Sequence, residues 1–196
     1  MLRQVASGVS RRSRARKLQL FTELVAPGPQ TTVVDVGVTD SGVAGAYGTD
    51  NFLEASYPWP ERITAVGVTS LDRFAAAFPQ VHTVVADGRS LPFADGEFDV
   101  GFSNAVVEHV GGHAAQVAFV HELCRVARRV FVTTPNRWFP VEVHTLLPVV
   151  HWLPRDAQPA LLDDIDLLGP SAFRGLFPYP VRLLNHGATL TAIGPE

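Results

Sequence analysis

Four short apolar runs along the chain each end in glycine, aspartate or asparagine. They lie at residues 32–37, 63–67, 84–88 and 98–104. A continuous apolar run closed in this way is typical of a buried strand in a parallel sheet. Such strands deliver loops to the carboxyl edge of the sheet, where ligands of open α/β folds bind. The pattern therefore predicts a ligand site formed by the loops that leave these strands.

Helical patterns alternate with the strands. Apolar residues at helical spacing and the positions of proline and glycine predict helices at 18–25, 51–55, 71–78 and 114–127. A fifth strand is expected at 129–134, and residues 181–185 and 188–193 predict a terminal antiparallel hairpin. Alternation of this kind indicates an α/β fold with right-handed crossovers.

The composition of the chain changes after residue 134. Eight of the 15 prolines lie between residues 135 and 180, so long regular elements are not expected there. A chain of 196 residues fits one domain. We therefore expect a single domain over 1–196, with a proline-rich lid or insertion at about 135–180.

Composition and charge exclude several classes of protein. The net charge of −3 gives no field that would attract nucleic acid, and no apolar run is long enough to span a membrane. A basic cluster at residues 11–17 is interpreted as a solvated helix face, with binding to an acidic partner or a membrane surface as the alternative. Cys124 is the single cysteine and has no partner for an intramolecular disulfide, which favours a reducing, cytoplasmic environment.

Four motifs in a fixed order carry a family resemblance. They are Val33-Val34-Asp35-Val36-Gly37, the segment 86–93 (ADGRSLPF), Phe98-Asp99-Val100 with Val107-Glu108-His109-Val110, and the segment 132–137 (VTTPNR). Over about residues 31–152 the chain resembles the class I S-adenosylmethionine-dependent methyltransferases, and within them the methyltransferase type 11 group. The resemblance implies a Rossmann-like, seven-stranded mixed sheet with helices on both faces and an antiparallel last strand.

The resemblance also implies a set of residues that bind S-adenosyl-L-methionine. Asp35 and Gly37 would hold the loop after the first strand, because glycine lets the backbone approach a ligand. Asp87 and Gly88 would recognise adenine, and Ser103 would begin a segment along the methionine end. The full set is Asp35, Gly37, Thr39, Asn51, Gly67, Asp87, Gly88, Ser103, Asn104 and Ala105.

Two departures from the family pattern concern this site. Gly37 is followed by Val38-Thr39-Asp40-Ser41 instead of further glycines, and this run narrows the allowed backbone conformations. Gly67 stands at the end of the second strand, where the family carries an acid that binds the ribose hydroxyls. Ribose recognition is therefore expected from Thr69, Ser70 or Asp72, or is weak.

Methyl transfer to a hydroxyl needs a base near the methyl group. His144 is the first choice, with Glu142 to orient it, and His109 is the second. A zinc site is disfavoured, because Gly111-Gly112 interrupts a helix between His109 and His113. A magnesium ion held by scattered side chains stays open, although no motif supports it.

The proline-rich segment also concentrates aromatic residues, which either close the core or stack on an acceptor such as a sugar. We expect a small-molecule acceptor, most simply a saccharide or glycoside. Two alternatives stay open. One is a degenerate, non-catalytic binding protein of the same fold. The other is a nicotinamide-dependent enzyme, although this chain lacks the Gly-x-Gly-x-x-Gly motif that such an enzyme carries after its first strand. A homodimer is compatible with so small a unit, but no pattern requires it.

Overall fold

A computed structural model describes residues 2–40, 51–142 and 147–195. The chain divides into two compact units, residues 1–88 and residues 89–196. The seven strands form one mixed sheet with accompanying helices, so the predicted Rossmann-like fold class with an antiparallel last strand is confirmed. The expectation of a single domain with a lid stays a prediction.

The first unit carries three parallel strands. Its elements are helix α1 (Leu2–Val25), strand β1 (Val33–Val36), strand β2 (Ile63–Gly67), helix α2 (Asp72–Ala77) and strand β3 (His82–Val85). The strand order is β3-β2-β1, with Val33 opposite Ile63 and Gly67 opposite Val85. The helix expected at 51–55 is not formed, and this segment consists of turns.

The second unit contains the rest of the sheet. Its elements are strand β4 (Phe98–Asn104), helix α3 (His113–Val126), strand β5 (Ala127–Pro135), helix α4 (Pro170–Arg174), strand β6 (Arg182–Asn185) and strand β7 (Thr189–Gly194). The order is β4-β5-β7-β6, with β4 parallel to β5 and β7 antiparallel to both of its neighbours. The predicted terminal hairpin is therefore β6 and β7.

The proline-rich segment has little regular structure, as its composition predicts. Between β5 and β6 the described residues form three short 3₁₀ helices, Val150–Trp152, Arg155–Ala157 and Ala160–Leu162, before α4. Separately, no helix of the described part of the chain is long and apolar enough to cross a membrane.

The core of the second unit is packed tightly between β4, β5 and α3. Phe102 and Phe131 are fully buried on adjacent strands and stack with ring centroids 5.6 Å apart. Gly101 lies where α3 crosses the sheet, and a Cβ atom there would be 2.8 Å from Cδ1 of Leu123. Glycine is required at this position because the helix approaches the strand so closely.

We predict that Gly101→Ala lowers stability, by about 1–3 kcal/mol, because the added methyl overpacks the contact with Leu123. Chemical denaturation measures the effect. Gly28→Ala is the matched control, since a Cβ at Gly28 meets no atom within 4 Å. Equal stabilities of the two variants would contradict this description of the α3–β4 contact.

Candidate functional site

The turn after β1 is fixed by the backbone of β2. Gly37 has φ of 110°, a left-handed conformation that side chains disfavour. The amides of Gly37 and Val38 both donate to the carbonyl oxygen of Val66, at 2.9 and 3.0 Å. The chain therefore leaves β1 in a tight turn that lies against the end of β2.

This turn explains why residue 67 is glycine. A Cβ atom at Gly67 would lie 2.6 Å from the carbonyl oxygen of Val38 and 2.9 Å from a methyl carbon of Leu71. A backbone oxygen cannot move aside as a flexible side chain can. The absence of an acidic side chain at residue 67 is thus a steric consequence of the turn that lies against β2.

The residues that follow the turn are held by polar contacts. Asp40 accepts a hydrogen bond from the amide of Phe74 at 2.8 Å, which satisfies a free donor in the first turn of α2. Asn51, which is buried, donates to the carbonyl oxygen of Thr39 at 3.4 Å. The predicted site residues Thr39 and Asn51 are therefore in contact through the backbone of Thr39.

The side chains expected to replace the ribose acid lie beside Gly67 on the surface. Thr69, Ser70 and Asp72 are all exposed. The hydroxyl of Ser70 donates to a carboxylate oxygen of Asp72 at 2.8 Å. These groups are exposed at the end of β2. Their role in binding the ribose hydroxyls stays a prediction.

Two acidic side chains are buried together near the end of β1. Asp35 is 7% exposed and Glu54 is 4% exposed. Burial, and then the charge of Glu54, raises the pKa of Asp35 well above its usual range, and burial also raises the pKa of Glu54. The two carboxyl groups lie close enough to share a side-chain hydrogen bond. The pair therefore favours a bound proton or a cationic group.

The end of β3 carries the residues expected to bind adenine. The amide of Ala86 donates to the carbonyl oxygen of Gly67 at 2.9 Å, which continues the β2–β3 pairing past Val85. Asp87 and Gly88 follow and are partly exposed. Within the first unit, the ends of three neighbouring parallel strands thus carry Asp35, Gly67 and Asp87 at one edge.

In the second unit, Ser103, Asn104 and Ala105 lie at the carboxyl end of β4. Ser103 is fully buried, and the amide oxygen of Asn104 accepts from the hydroxyl of Thr133 at 2.8 Å. Ala105 has φ of 56° and its amide donates to the carbonyl oxygen of Thr133 at 2.9 Å. A left-handed alanine held in this way is a strained conformation of the kind found at functional sites.

His109 follows in a short 3₁₀ helix, Val107–His109. Its side chain is 43% exposed, and Nε2 lies 3.9 Å from Oε1 of the buried Glu108. The other oxygen of Glu108 accepts from the hydroxyl of Thr134 at 3.0 Å. Glu108 therefore joins the loop after β4 to β5, with His109 at the surface beside it.

A cavity of about 420 Å³ lies in the proline-rich segment of the second unit. It combines polar side chains with an apolar wall and an indole ring. The lining residues are Arg137, His151, Trp152, Leu153, Pro154, Gln158, Leu162, Ile165, Asp166 and Leu167. The volume lies within the range of sites for small molecules, about 300–1,000 Å³.

His151 is the buried imidazole of this cavity and is 4% exposed. Its Nε2 lies 2.8 Å from the carbonyl oxygen of Arg137, and Nδ1 has no hydrogen-bond partner among the described residues. The indole nitrogen of Trp152 donates to the same carbonyl oxygen at 2.7 Å. Because a carbonyl only accepts, Nε2 carries the hydrogen, and Nδ1 holds a free lone pair.

His144, the first choice for the base, lies outside the described residues. Its predicted partner Glu142 is 1% exposed, and its amide donates to the carbonyl oxygen of Leu147 at 2.9 Å. His113 starts α3 after the turn at Gly111, which separates it from His109. Within the described ranges, no group of three or more His, Cys, Asp or Glu side chains could hold a metal ion.

The sequence reasoning did not select Glu54 or His151. Glu54 stands within an apolar stretch, Phe52-Leu53-Glu54-Ala55, and His151 stands within Val149-Val150-His151-Trp152-Leu153. An ionisable residue inside such a run is a signal of burial. His144 was preferred because an acidic neighbour accompanies it, whereas the partner of His151 is a backbone carbonyl that no side-chain pattern reveals.

Comparison with known proteins agrees with the resemblance. Residues 43–130 match the family model Methyltransf_11, described as a methyltransferase domain. No curated protein matches the sequence. The matched range includes strands β2, β3 and β4 and helix α3.

Solved structures share the fold at low sequence identity. The N-methyltransferase NodS from Bradyrhizobium japonicum WM9, in complex with S-adenosyl-L-homocysteine, has a TM-score of 0.64 and 11% identity over 95% of this chain and 87% of that chain. The PH0226 protein from Pyrococcus horikoshii OT3 has a TM-score of 0.62 and 17% identity over 95% and 91%. Geranyl diphosphate C-methyltransferase from Streptomyces coelicolor A3(2) has 0.56 and 15% over 91% and 75%.

We predict that Gly67→Asp destabilises the protein by about 2 kcal/mol or more, because its Cβ collides with the carbonyl oxygen of Val38. For a chain of this size, that loss lowers the Tm by about 4 °C or more. Val68→Asp is the control, since Val68 is 74% exposed. A Gly67→Asp variant with unchanged Tm and tighter binding of S-adenosylhomocysteine would overturn the steric explanation.

Glu54→Gln is expected to stabilise the protein at neutral pH but not near pH 4. The raised pKa values of Asp35 and Glu54 mean that the folded state binds protons more tightly than the unfolded state, so stability falls as pH rises through the folded pKa values. Removing one buried acid relieves this loss, by on the order of 1–3 kcal/mol.

Thermal unfolding of the wild type and Glu54→Gln at pH 4 and pH 7 measures the difference. Glu61→Gln, at an exposed position, provides the control. A stability difference between Glu54→Gln and the wild type that is the same at both pH values would contradict the linkage.

Proposed function

We propose that this protein is an S-adenosylmethionine-dependent methyltransferase that methylates a hydroxyl group of a small acceptor. The observation that carries the proposal is the first unit's strand edge, where a left-handed Gly37, buried acids and Asp87 follow consecutive parallel strands. The family match over residues 43–130 supports the same cofactor.

The described residues offer suitable partners for the methionine and adenine parts of the cofactor, but fewer for its ribose. The two buried carboxyl groups favour a cation and suit the amino group of the methionine moiety. Asp87 offers an acceptor for the exocyclic amine of adenine. At the ribose, Gly67 offers no side chain, and the neighbouring Thr69 and Ser70 are proposed to bind the hydroxyls instead. When bound, the cofactor supplies a methyl group already activated on a sulfonium.

The protein's own contribution is to hold the acceptor and to remove its proton. Alignment of the reacting atoms accounts for much of the rate of such transfers. We assign the proton acceptor to a histidine of the segment 135–180. Ser103, Asn104 and Ala105 are proposed to line the methionine end, and His109, beside Glu108, to support that loop. No step requires a metal ion in this account.

A saccharide or glycoside is the acceptor that we favour. Two indoles of the proline-rich segment are accessible: Trp138 is 62% exposed and Trp152 is 44% exposed. The guanidinium carbon of Arg137 lies 6.0 Å from the ring centroid of Trp138. Exposed indole faces beside cationic and amide groups are suited to the apolar faces and hydroxyls of a sugar. The N- and C-methyltransferases among the structural neighbours have the same fold, so the fold does not select the accepting atom.

A non-catalytic binding protein is the second candidate, and one observation favours it. The carbonyl oxygen of Val38 leaves no room for an acid at residue 67. If the ribose hydroxyls find no replacement partner, the cofactor binds weakly and the fold serves another ligand. The two candidates differ in their affinity for S-adenosylhomocysteine.

Isothermal titration with S-adenosylhomocysteine tests the proposed function. We expect the wild type to bind, and Asp87→Ala to bind about 10- to 100-fold more weakly, because a hydrogen bond to a charged acceptor contributes about 1.5–3 kcal/mol. Asp156→Ala, at an exposed position, should bind as the wild type does. Absence of binding to the wild type would reject the methyltransferase and favour the second candidate.

A further inference from the structure

We infer that an exposed apolar patch on the second unit docks onto an anionic phospholipid membrane. In the described part of the chain, six of the eight large apolar side chains that are exposed lie between residues 138 and 153. They are Trp138, Val141, Leu147, Val149, Trp152 and Leu153. A contiguous exposed patch of this kind marks a contact with a protein or a membrane. The inference goes beyond the proposed function and does not depend on it.

The middle of the patch is a tight reverse turn. Val141 and Pro148 pair in an antiparallel bridge. Beside this bridge, the amide of Val149 donates to the carbonyl oxygen of Pro140 at 2.8 Å. The turn therefore holds the exposed side chains of Leu147 and Val149 close to Val141.

Both exposed indoles border this turn. The amide of Trp152 donates to the carbonyl oxygen of Val149 at 3.0 Å. The indole N–H of Trp152 donates to the carbonyl oxygen of Arg137, the residue before Trp138, at 2.7 Å. These hydrogen bonds tie the two tryptophans to the turn, so the exposed apolar side chains form one patch.

Much of the backbone of this segment is already hydrogen-bonded, which suits a lipid environment. The amides of Glu142, Trp152 and Leu153 donate to carbonyl oxygens of the same segment at 2.9, 3.0 and 3.3 Å. The prolines at 140, 148 and 154 have no amide hydrogen. An unpaired amide is costly in hydrocarbon, whereas a protein partner would use free amides for hydrogen bonds. The six side chains of the patch also carry no carboxylate, amide or hydroxyl group, so a lipid surface is the favoured occupant.

The charge of the patch is complementary to an anionic headgroup. Among the described residues of 137–154, Arg137 is the one charged side chain that is exposed, because Glu142 is 1% exposed. Tryptophan is enriched at membrane interfaces, and the head of an arginine side chain reaches from apolar surface to lipid phosphates. At headgroup depth an indole can still contact a sugar, so the membrane contact is compatible with a saccharide acceptor.

Val149 has an unfavourable backbone conformation at the surface. Its φ of 54° lies in the left-handed region, which β-branched residues avoid. The side chain is 42% exposed, so packing within the chain buries only part of it. Strained residues of this kind cluster at functional sites. Asparagine adopts the left-handed conformation more readily, so Val149→Asn removes the apolar side chain without adding strain.

Co-sedimentation of the full chain with sucrose-loaded vesicles tests the contact. We expect the wild type to bind vesicles of equal parts phosphatidylcholine and phosphatidylglycerol, and lipids brominated on the acyl chain to quench its tryptophan fluorescence. The double variant Leu147→Asn, Val149→Asn should lower the partition coefficient about tenfold or more, because two apolar side chains are removed. Its Tm should stay near that of the wild type. Val68→Asn, exposed at 74% in the first unit, should bind as the wild type does.

Four results would overturn the inference. A folded wild-type chain that does not bind these vesicles excludes the membrane contact, and a double variant that binds within about twofold of the wild type excludes the patch. Loss of binding confined to the double variant Arg12→Gln, Arg16→Gln would locate the contact at the exposed cations of helix α1 instead. Self-association of the wild type without lipid, abolished in Leu147→Asn, Val149→Asn, would identify a second copy of the chain as the occupant.

Discussion

The carbonyl oxygen of Val38 lies 2.6 Å from the position that a Cβ atom at Gly67 would take, and this contact determines how the first unit presents its strand ends. Two amides on one carbonyl oxygen, that of Val66, pull the turn after β1 onto β2. Gly67 must then lack a side chain, Asp40 reaches α2, and Thr39 meets Asn51. An acidic side chain at residue 67 and this turn cannot occupy the same place. The glycine at residue 67 therefore follows from backbone geometry, and the affinity for S-adenosylhomocysteine separates the two candidate functions.

The two units carry different sets of candidate functional residues. The first carries groups suited to the cofactor: a cation-favouring acid pair and the segment Asp87-Gly88. The second carries a strained Ala105, a buried Glu108 and a cavity tied by backbone hydrogen bonds to the ends of β4 and β5. The groups proposed for the cofactor thus follow the regular strands of the first unit, whereas the cavity of the second unit lies in the proline-rich segment.

The fold was predictable from the sequence because the residues that form and end each strand are adjacent along the chain. An apolar run closed by glycine or aspartate identifies the strand, its loop and its edge together, as at Asp35-Val36-Gly37. The terminal hairpin was predictable for the same reason. The site was less predictable where its contacts are distant in sequence: Val38 with Gly67, Asp35 with Glu54, and His151 with Arg137. The segment 51–55 has a helical pattern, yet it forms turns that place Glu54 near Asp35.

The choice between His144 and His151 shows the same limit of what local sequence reveals. A side-chain neighbour in sequence suggested His144, whereas a carbonyl oxygen 14 residues away orients His151. A backbone partner leaves no trace in composition or spacing, so only coordinates identify it.

A crystal structure with bound S-adenosylhomocysteine tests the account most directly at the ribose. The account predicts adenine at Asp87-Gly88 and the ribose hydroxyls bonded to Thr69, Ser70 or nearby backbone groups, with the Val38 turn unchanged. Adenosine bound away from the ends of β2 and β3, or a turn displaced to make room for it, would contradict the claim that this geometry is compatible with the cofactor.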